Sequence, residues 1–163
     1  MDSGVTFREL LDYEELEWRR WHEWFAKHPE AWQVGCDIAG GGTVGGLVLH
    51  VFVSALFHAD LMNDAPPPNW KKLLAETRSL EDVFAVGLQA QTKLGNFLAR
   101  ASAGDWETVK DLGFDELRPS KRKMFTQVLL HGVHHRAQLA ALLRQQKYPD
   151  LWVHDLIVTD VMK

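Results

Sequence analysis

Cysteine is nearly absent from this chain: Cys36 stands alone among 163 residues. One thiol excludes an internal disulfide framework and fits a reducing compartment. No base stands beside it in sequence, so Cys36 reads as an inert loop or buried thiol rather than a nucleophile. Basic residues are not in excess either. The formal charge is -4 and the pI near 6.0, which argues against a nucleic-acid partner. The one basic run, Arg118, Lys121, Arg122 and Lys123, is interrupted by Pro119 and reads as a helix start facing water. Uninterrupted apolar runs of about 18 residues are lacking, so no membrane span is expected. The opening MDSGVTFREL carries acidic residues and lacks the apolar stretch of a signal peptide. A cytoplasmic protein is the expectation. Internal repeats and low-complexity segments are also missing.

What is present is helix pattern. The length suits one domain over 1–163, and a hydrophobic content of 46% is ordinary for a globular chain. Seven tryptophans read as core filling. A first helix is predicted from about Thr6 to Lys27, with Phe7, Leu11, Glu14, Trp18, Trp21 and Phe25 forming a seam spaced by fours and threes. Pro29 stops it. AWQVGCDIAGGG reads as a loop. Thr43 then caps a second helix reaching about Asn63, apolar on nearly all sides and therefore interior. Three consecutive prolines in DAPPPNW end it. Ser79-Leu-Glu-Asp is a capping-box candidate for a third helix that runs to Gly104. Trp106 to Arg118 is connector, with Trp106-Glu-Thr-Val as a short extended piece. Pro119 and Ser120 open a fourth helix to about Lys147. The tail from Tyr148 is mixed in character and able to pack back on the helices. The fold class is therefore all-α, a four-helix bundle with long connections.

The fourth helix holds HGVHHRAQ, with His131, His134 and His135 within five residues. On a wheel of 100° per residue the apolar stripe lies about 80° from His131 and His135 about 40° from it. His134 falls about 60° to the other side, toward the rim or solvent. His131 and His135, four apart, point the same way and suit one metal ion. On the second helix His50 sits in the middle of an apolar stripe, where a buried imidazole needs a partner. That partner is either a backbone carbonyl or a metal shared with His131 and His135. Three histidines with positions left open are the pattern of a catalytic site, and zinc, nickel and iron all accept imidazole. His58 lies about 80° from His50 and is a poorer ligand. His22, His28 and His154 lack a partner histidine at ligand spacing and read as surface or core residues.

Other signals weaken on inspection. Gly40, Gly42 and Gly45 fit G-x-G-x-x-G literally, but that fingerprint needs a preceding strand in an α/β context. A di-iron site needs glutamate three residues before its histidines; Leu47, Val128 and Gly132 stand there instead. His22-Glu23 is followed by Ala26 where a zincin needs histidine. Glu14 and Glu17 lie among the tryptophans. Glu14 reads as an edge position or an interface ion pair, with the orienting of a ligand histidine as the functional alternative.

LLHGVHHRAQLAALLRQQ resembles the last helix of the DinB (DinB/YfiT-like) family of metal-dependent enzymes, and TVGGLVLHVFVSALFHADLM resembles its second helix with one histidine. The Trp-rich first helix fits as well, so the resemblance spans about the full length. It implies a four-helix bundle, a homodimer, and His50, His131 and His135 as ligands of a divalent cation. It also implies thiol transfer, isomerisation or hydrolysis, with a low-molecular-weight thiol as a partner. Family members often place an acidic residue and an aromatic after the first histidine; here VSALFHAD supplies Ser54, Phe57 and His58. His58 or His134 would be the proton carriers at the rim. The rival reading is a non-enzymatic, dimerising binding or stress-associated module in which the metal is structural or absent.

Overall fold

Each long helix starts on a side chain that satisfies its otherwise orphaned amides. The structure, a computed structural model, describes residues 4–77 and 79–162. Helix α1 spans Phe7–Lys27 and opens on a capping box between Thr6 and Glu9. Its predicted seam is the buried face, with Leu11, Glu14, Trp18, Trp21 and Phe25 all shielded. The segment expected as loop then makes a short 3-10 turn at Pro29–Gln33 and a minimal antiparallel ladder. Strand β1, Gly35–Cys36, pairs there with β2, Gly42–Thr43. Cys36 is buried, as expected.

Helix α2 spans Val44–Met62, and Thr43 caps it by accepting a hydrogen bond from the Gly46 amide at 3.1 Å. The preceding loop lies directly on its first turn. A Cβ on Gly46 would stand 1.9 Å from the Gly41 carbonyl oxygen, so no other residue fits there without moving backbone. By length and composition α2 is long and apolar enough to cross a membrane. Here it lies inside the protein, packed on α4 and α6, with Val48, Val51, Phe52 and Leu56 in the core.

The connector after α2 is not featureless. Asn69 caps a seven-residue helix, α3, Trp70–Glu76, which the triple proline conceals in the sequence. Helix α4, Leu80–Arg100, starts on the expected Ser79–Asp82 capping box. It ends at Arg100 rather than Gly104, because Ala101 is extended and Ser102 caps a new helix, α5, Ala103–Glu107. Trp106 and Glu107 are therefore helical, not extended; only Val109 bridges outward, to Ser120. Helix α6 spans Lys121–Gln145 with Ser120 as its cap.

Four long helices thus pack together, α2 on α4 and α6, and α1 on α4 and α6. The described residues are all-α apart from the two-residue ladder. One core cluster centres on Trp18, Trp21, Phe25 and Phe52; a second lies around Leu11, Phe97, Phe125 and Leu129. The basic run does not face water throughout. Lys121 is 2% exposed, pairs with Asp64 at 3.1 Å and lies over the Phe97 ring. Its aliphatic stem suits that apolar niche, and Asp64 meets the ammonium.

The tail packs back on α1. Glu17 is fully buried and accepts from the Trp152 indole at 3.1 Å, the His154 Nδ1 at 2.6 Å and Arg20 at 3.1 Å. Burial pushes the Glu17 carboxyl up, but the bonds from His154 and Trp152 outweigh it and hold the carboxyl below its ordinary value. The Tyr13 hydroxyl donates to the His154 carbonyl. His154, read from sequence as an ordinary surface or core residue, is thus a clamp between tail and helix.

Candidate metal centre

Two turns of α6 and the middle of α2 bring three imidazoles to one point. His131 and His135 project from the same face because four residues separate them on a helix. His50 faces them from α2. The Nε2 atoms of His50 and His131 are 3.2 Å apart, and those of His131 and His135 are 3.0 Å apart. One ligand nitrogen from each of the three lies within 4.8 Å of the others. Nitrogens bound to a tetrahedral ion at about 2.0–2.1 Å lie about 3.3 Å from each other. The three residues predicted as ligands are therefore close enough to share one ion.

The proton inventory also favours a cation. Gln138, one turn after His135, receives its Nδ1 at 2.8 Å through an amide oxygen, which only accepts. The proton of His135 therefore sits on Nδ1, and Nε2 presents a lone pair to the cluster. His131 Nε2 lies against both neighbouring Nε2 atoms and has at most one proton to offer. Burial and the neighbouring imidazoles push His131 down to about 4. Burial also lowers His50 and His135, although the Gln138 bond pulls His135 the other way. The imidazoles are held neutral, the form that ligates. Gln138 lies within the stretch that carries the family resemblance, which gives it no role; its i, i+3 spacing from His135 is the signal for one. Gln138→Ala is expected to weaken zinc binding about 10–100-fold, as measured by competition with a chelator. An unchanged affinity would remove Gln138 from the site.

Behind the triad α6 is tied to α1. Arg136 donates from both terminal nitrogens to the two carboxylate oxygens of Glu14, and both residues are buried. Glu14 is thus half of an interhelical ion pair and not a partner of any of the three histidines. Its bidentate geometry belongs to a carboxylate facing a guanidinium. Gly132 makes room for the pair, since a Cβ there would stand 2.4 Å from Glu14 Oε2.

Beside the triad lies a cleft of about 610 Å³ lined by both His50 and His58. His58 shares the cleft but is not part of the three-nitrogen cluster. Its Nδ1 is buried and has no hydrogen-bond partner, and burial pushes the imidazole down to about 4. His134 is exposed, as its wheel position predicts, and is not among the residues lining the cleft. His22 pairs with Glu81 at 3.1 Å, well away on α1.

The His58 shift has a consequence for stability. The unfolded imidazole titrates near 6.5 and the folded one near 4, so the unfolded chain binds the proton first. Stability is full above pH 6.5 and falls as pH drops toward 4. For metal-free protein we expect His58→Leu to remove about 2 kcal/mol of the loss between pH 7 and pH 5. Urea unfolding at the two pH values checks this, and parallel losses in both proteins would contradict it.

Compared with known proteins, the chain matches no protein-family model and no curated sequence.

Proposed function

We propose that His50, His131 and His135 hold one divalent cation, zinc, nickel or iron, at the centre of a metal-dependent enzyme. The observation that carries the reading is the convergence of three Nε2 atoms held neutral, with one tautomer fixed by Gln138. In this reading the four long helices form a DinB-type four-helix bundle with the site between α2 and α6, and the working unit is a homodimer. The resemblance of the two histidine-bearing helices to that family supports this reading, and with it thiol transfer or hydrolysis as the reaction.

Bound there, the ion supplies a Lewis acid and lowers the pKa of a water or thiol that it binds. The chain's own contribution is positional. Gln138 holds the His135 ring in one tautomer, and the Glu14–Arg136 pair fixes α6 against α1 behind it. Three protein ligands leave room for an exogenous one, the arrangement of catalytic rather than structural sites. The adjoining cleft favours an enzyme over a purely structural module, because a structural ion has no use for an open approach.

Elemental analysis of untagged protein tests the reading. About one ion per chain in the wild type, lost in His50→Ala, is the expected result. Metal content unchanged in His50→Ala, or absent from the wild type after incubation with zinc and nickel, would return the histidines to the core.

A further inference from the structure

The cleft beside His50 has a composition of its own. Its wall is apolar: Leu49, Val53 and Phe57 from α2, Trp70 and Leu74 from α3, and Phe114 from the loop between α5 and α6. Polar groups are few. His50 and His58 face it, joined by the Ser54 side chain and the glycine-rich loop at Gly40 and Gly41. Among the described residues no lysine, arginine, aspartate or glutamate lines it. A volume of about 610 Å³ falls within the roughly 300–1,000 Å³ of small-molecule sites.

The rim is where apolar surface is left uncovered. Trp70 is 52% exposed, Leu74 46% and Phe114 49%. These three come from two separate connectors, yet they converge on one opening, and the Phe57 and Phe114 rings stand 6.0 Å apart. Large side chains left half in water around a concave site are poised to gain from a ligand that covers them. A charged ligand body would lose its hydration against these apolar walls; the Lys71 ammonium, 5.5 Å from the Trp70 ring centroid, is not among the lining residues.

We infer that this cleft is the subsite for the body of the substrate and that it takes an uncharged aromatic molecule, with the reactive end at His50. The assignment of the reactive end rests on the metal-centre reading above; the assignment of the body rests on the cleft alone. Trp70 and Phe114 are specificity-determining residues that close on the ring from opposite connectors. Substrates with a strongly anionic body are disfavoured, because among the described residues no cationic side chain lines the cleft to pair with a carboxylate.

A matched pair of fluorescent probes tests the inference on the full, metal-free chain. N-phenyl-1-naphthylamine is neutral and aromatic; 8-anilinonaphthalene-1-sulfonate is the same skeleton with a negative charge. The neutral probe is expected to bind saturably at one per chain, and the sulfonate about tenfold more weakly. Trp70→Ala and Phe114→Ala together are expected to weaken the neutral probe by about tenfold. Both side chains are half exposed, so their truncation leaves the core intact. Ile157→Ser, which removes an apolar side chain that is 91% exposed on the tail, is expected to leave binding unchanged. Equal or tighter binding of the sulfonate would overturn the inference, as would neutral-probe affinity that survives the double substitution. Zinc uptake is measured on the same preparation. Probe binding with no zinc uptake would uphold the cleft and overturn the metal reading; zinc uptake with no probe binding would do the reverse.

Discussion

Glu14→Ala is expected to destabilise the fold by about 3–5 kcal/mol. The reason is what the substitution leaves behind. Arg136 is 4% exposed, and its guanidinium faces the Tyr13 and Trp18 rings at 5.6 and 5.4 Å. Those aromatic faces ease a cation but do not satisfy its hydrogen-bond donors. With Glu14 gone, a charge that cannot shed its proton remains in the interior. Domains of this kind have about 5–15 kcal/mol of stability in total, so the variant falls near the threshold of folding. The paired replacement Glu14→Leu with Arg136→Met is expected to recover most of the loss, because it removes both desolvation costs together. Urea unfolding of the two variants and the wild type decides the matter. A single variant within about 1 kcal/mol of wild type would mean that water reaches the pair.

The second large effect is on metal. His131→Ala is expected to weaken zinc binding by more than the roughly 10–100-fold that loss of an outer partner costs. His131 is the central member, since its Nε2 lies 3.2 Å from that of His50 and 3.0 Å from that of His135. Without it two ligands remain, one from each helix, and no pair shares a turn of α6. The consequence extends to stability through linkage. Zinc at about 100 times its dissociation constant stabilises the folded state by about 2.7 kcal/mol. Thermal unfolding with and without zinc should therefore separate the wild type, whose midpoint rises, from His131→Ala, whose midpoint does not. A zinc-dependent rise of equal size in both would place the ion elsewhere.

Local signals in the sequence carried the helices and the triad. Thr43 and Ser79 mark helix starts because a hydroxyl oxygen before an apolar run meets a free amide. Two of the three imidazoles share a helix at a spacing that geometry alone aligns. The third, His50, shows itself by standing polar on an apolar stripe. What stayed hidden depends on distant chain. Lys121 reads as solvated until Asp64, 57 residues earlier, is seen to receive it. Glu17 gives no hint that its donors lie 135 and 137 residues away. Trp70 and Phe114 belong to connectors whose local pattern is irregular. Only the packing of those connectors around α2 turns them into a rim. His58 is about 80° from His50 on the wheel, and both still face one cleft, because a concave wall collects side chains from a wide arc.

The burial of Glu17 also orders events in time. Its three partners are Arg20 on the same helix, and Trp152 and His154 near the other end of the chain. A ribosome adding about 5–20 residues per second needs roughly 7–27 seconds to travel the 135 residues from Glu17 to Trp152. Throughout that interval α1 holds an acid destined for the interior with two of its donors not yet made. While it waits, the face that carries Trp21 has no Trp152 or His154 ring to cover it. Closure of this side of the molecule therefore waits until Trp152 and His154 have been made. The nascent chain presents an apolar, acid-bearing helix to whatever chaperone attends it until the segment carrying Trp152 and His154 arrives.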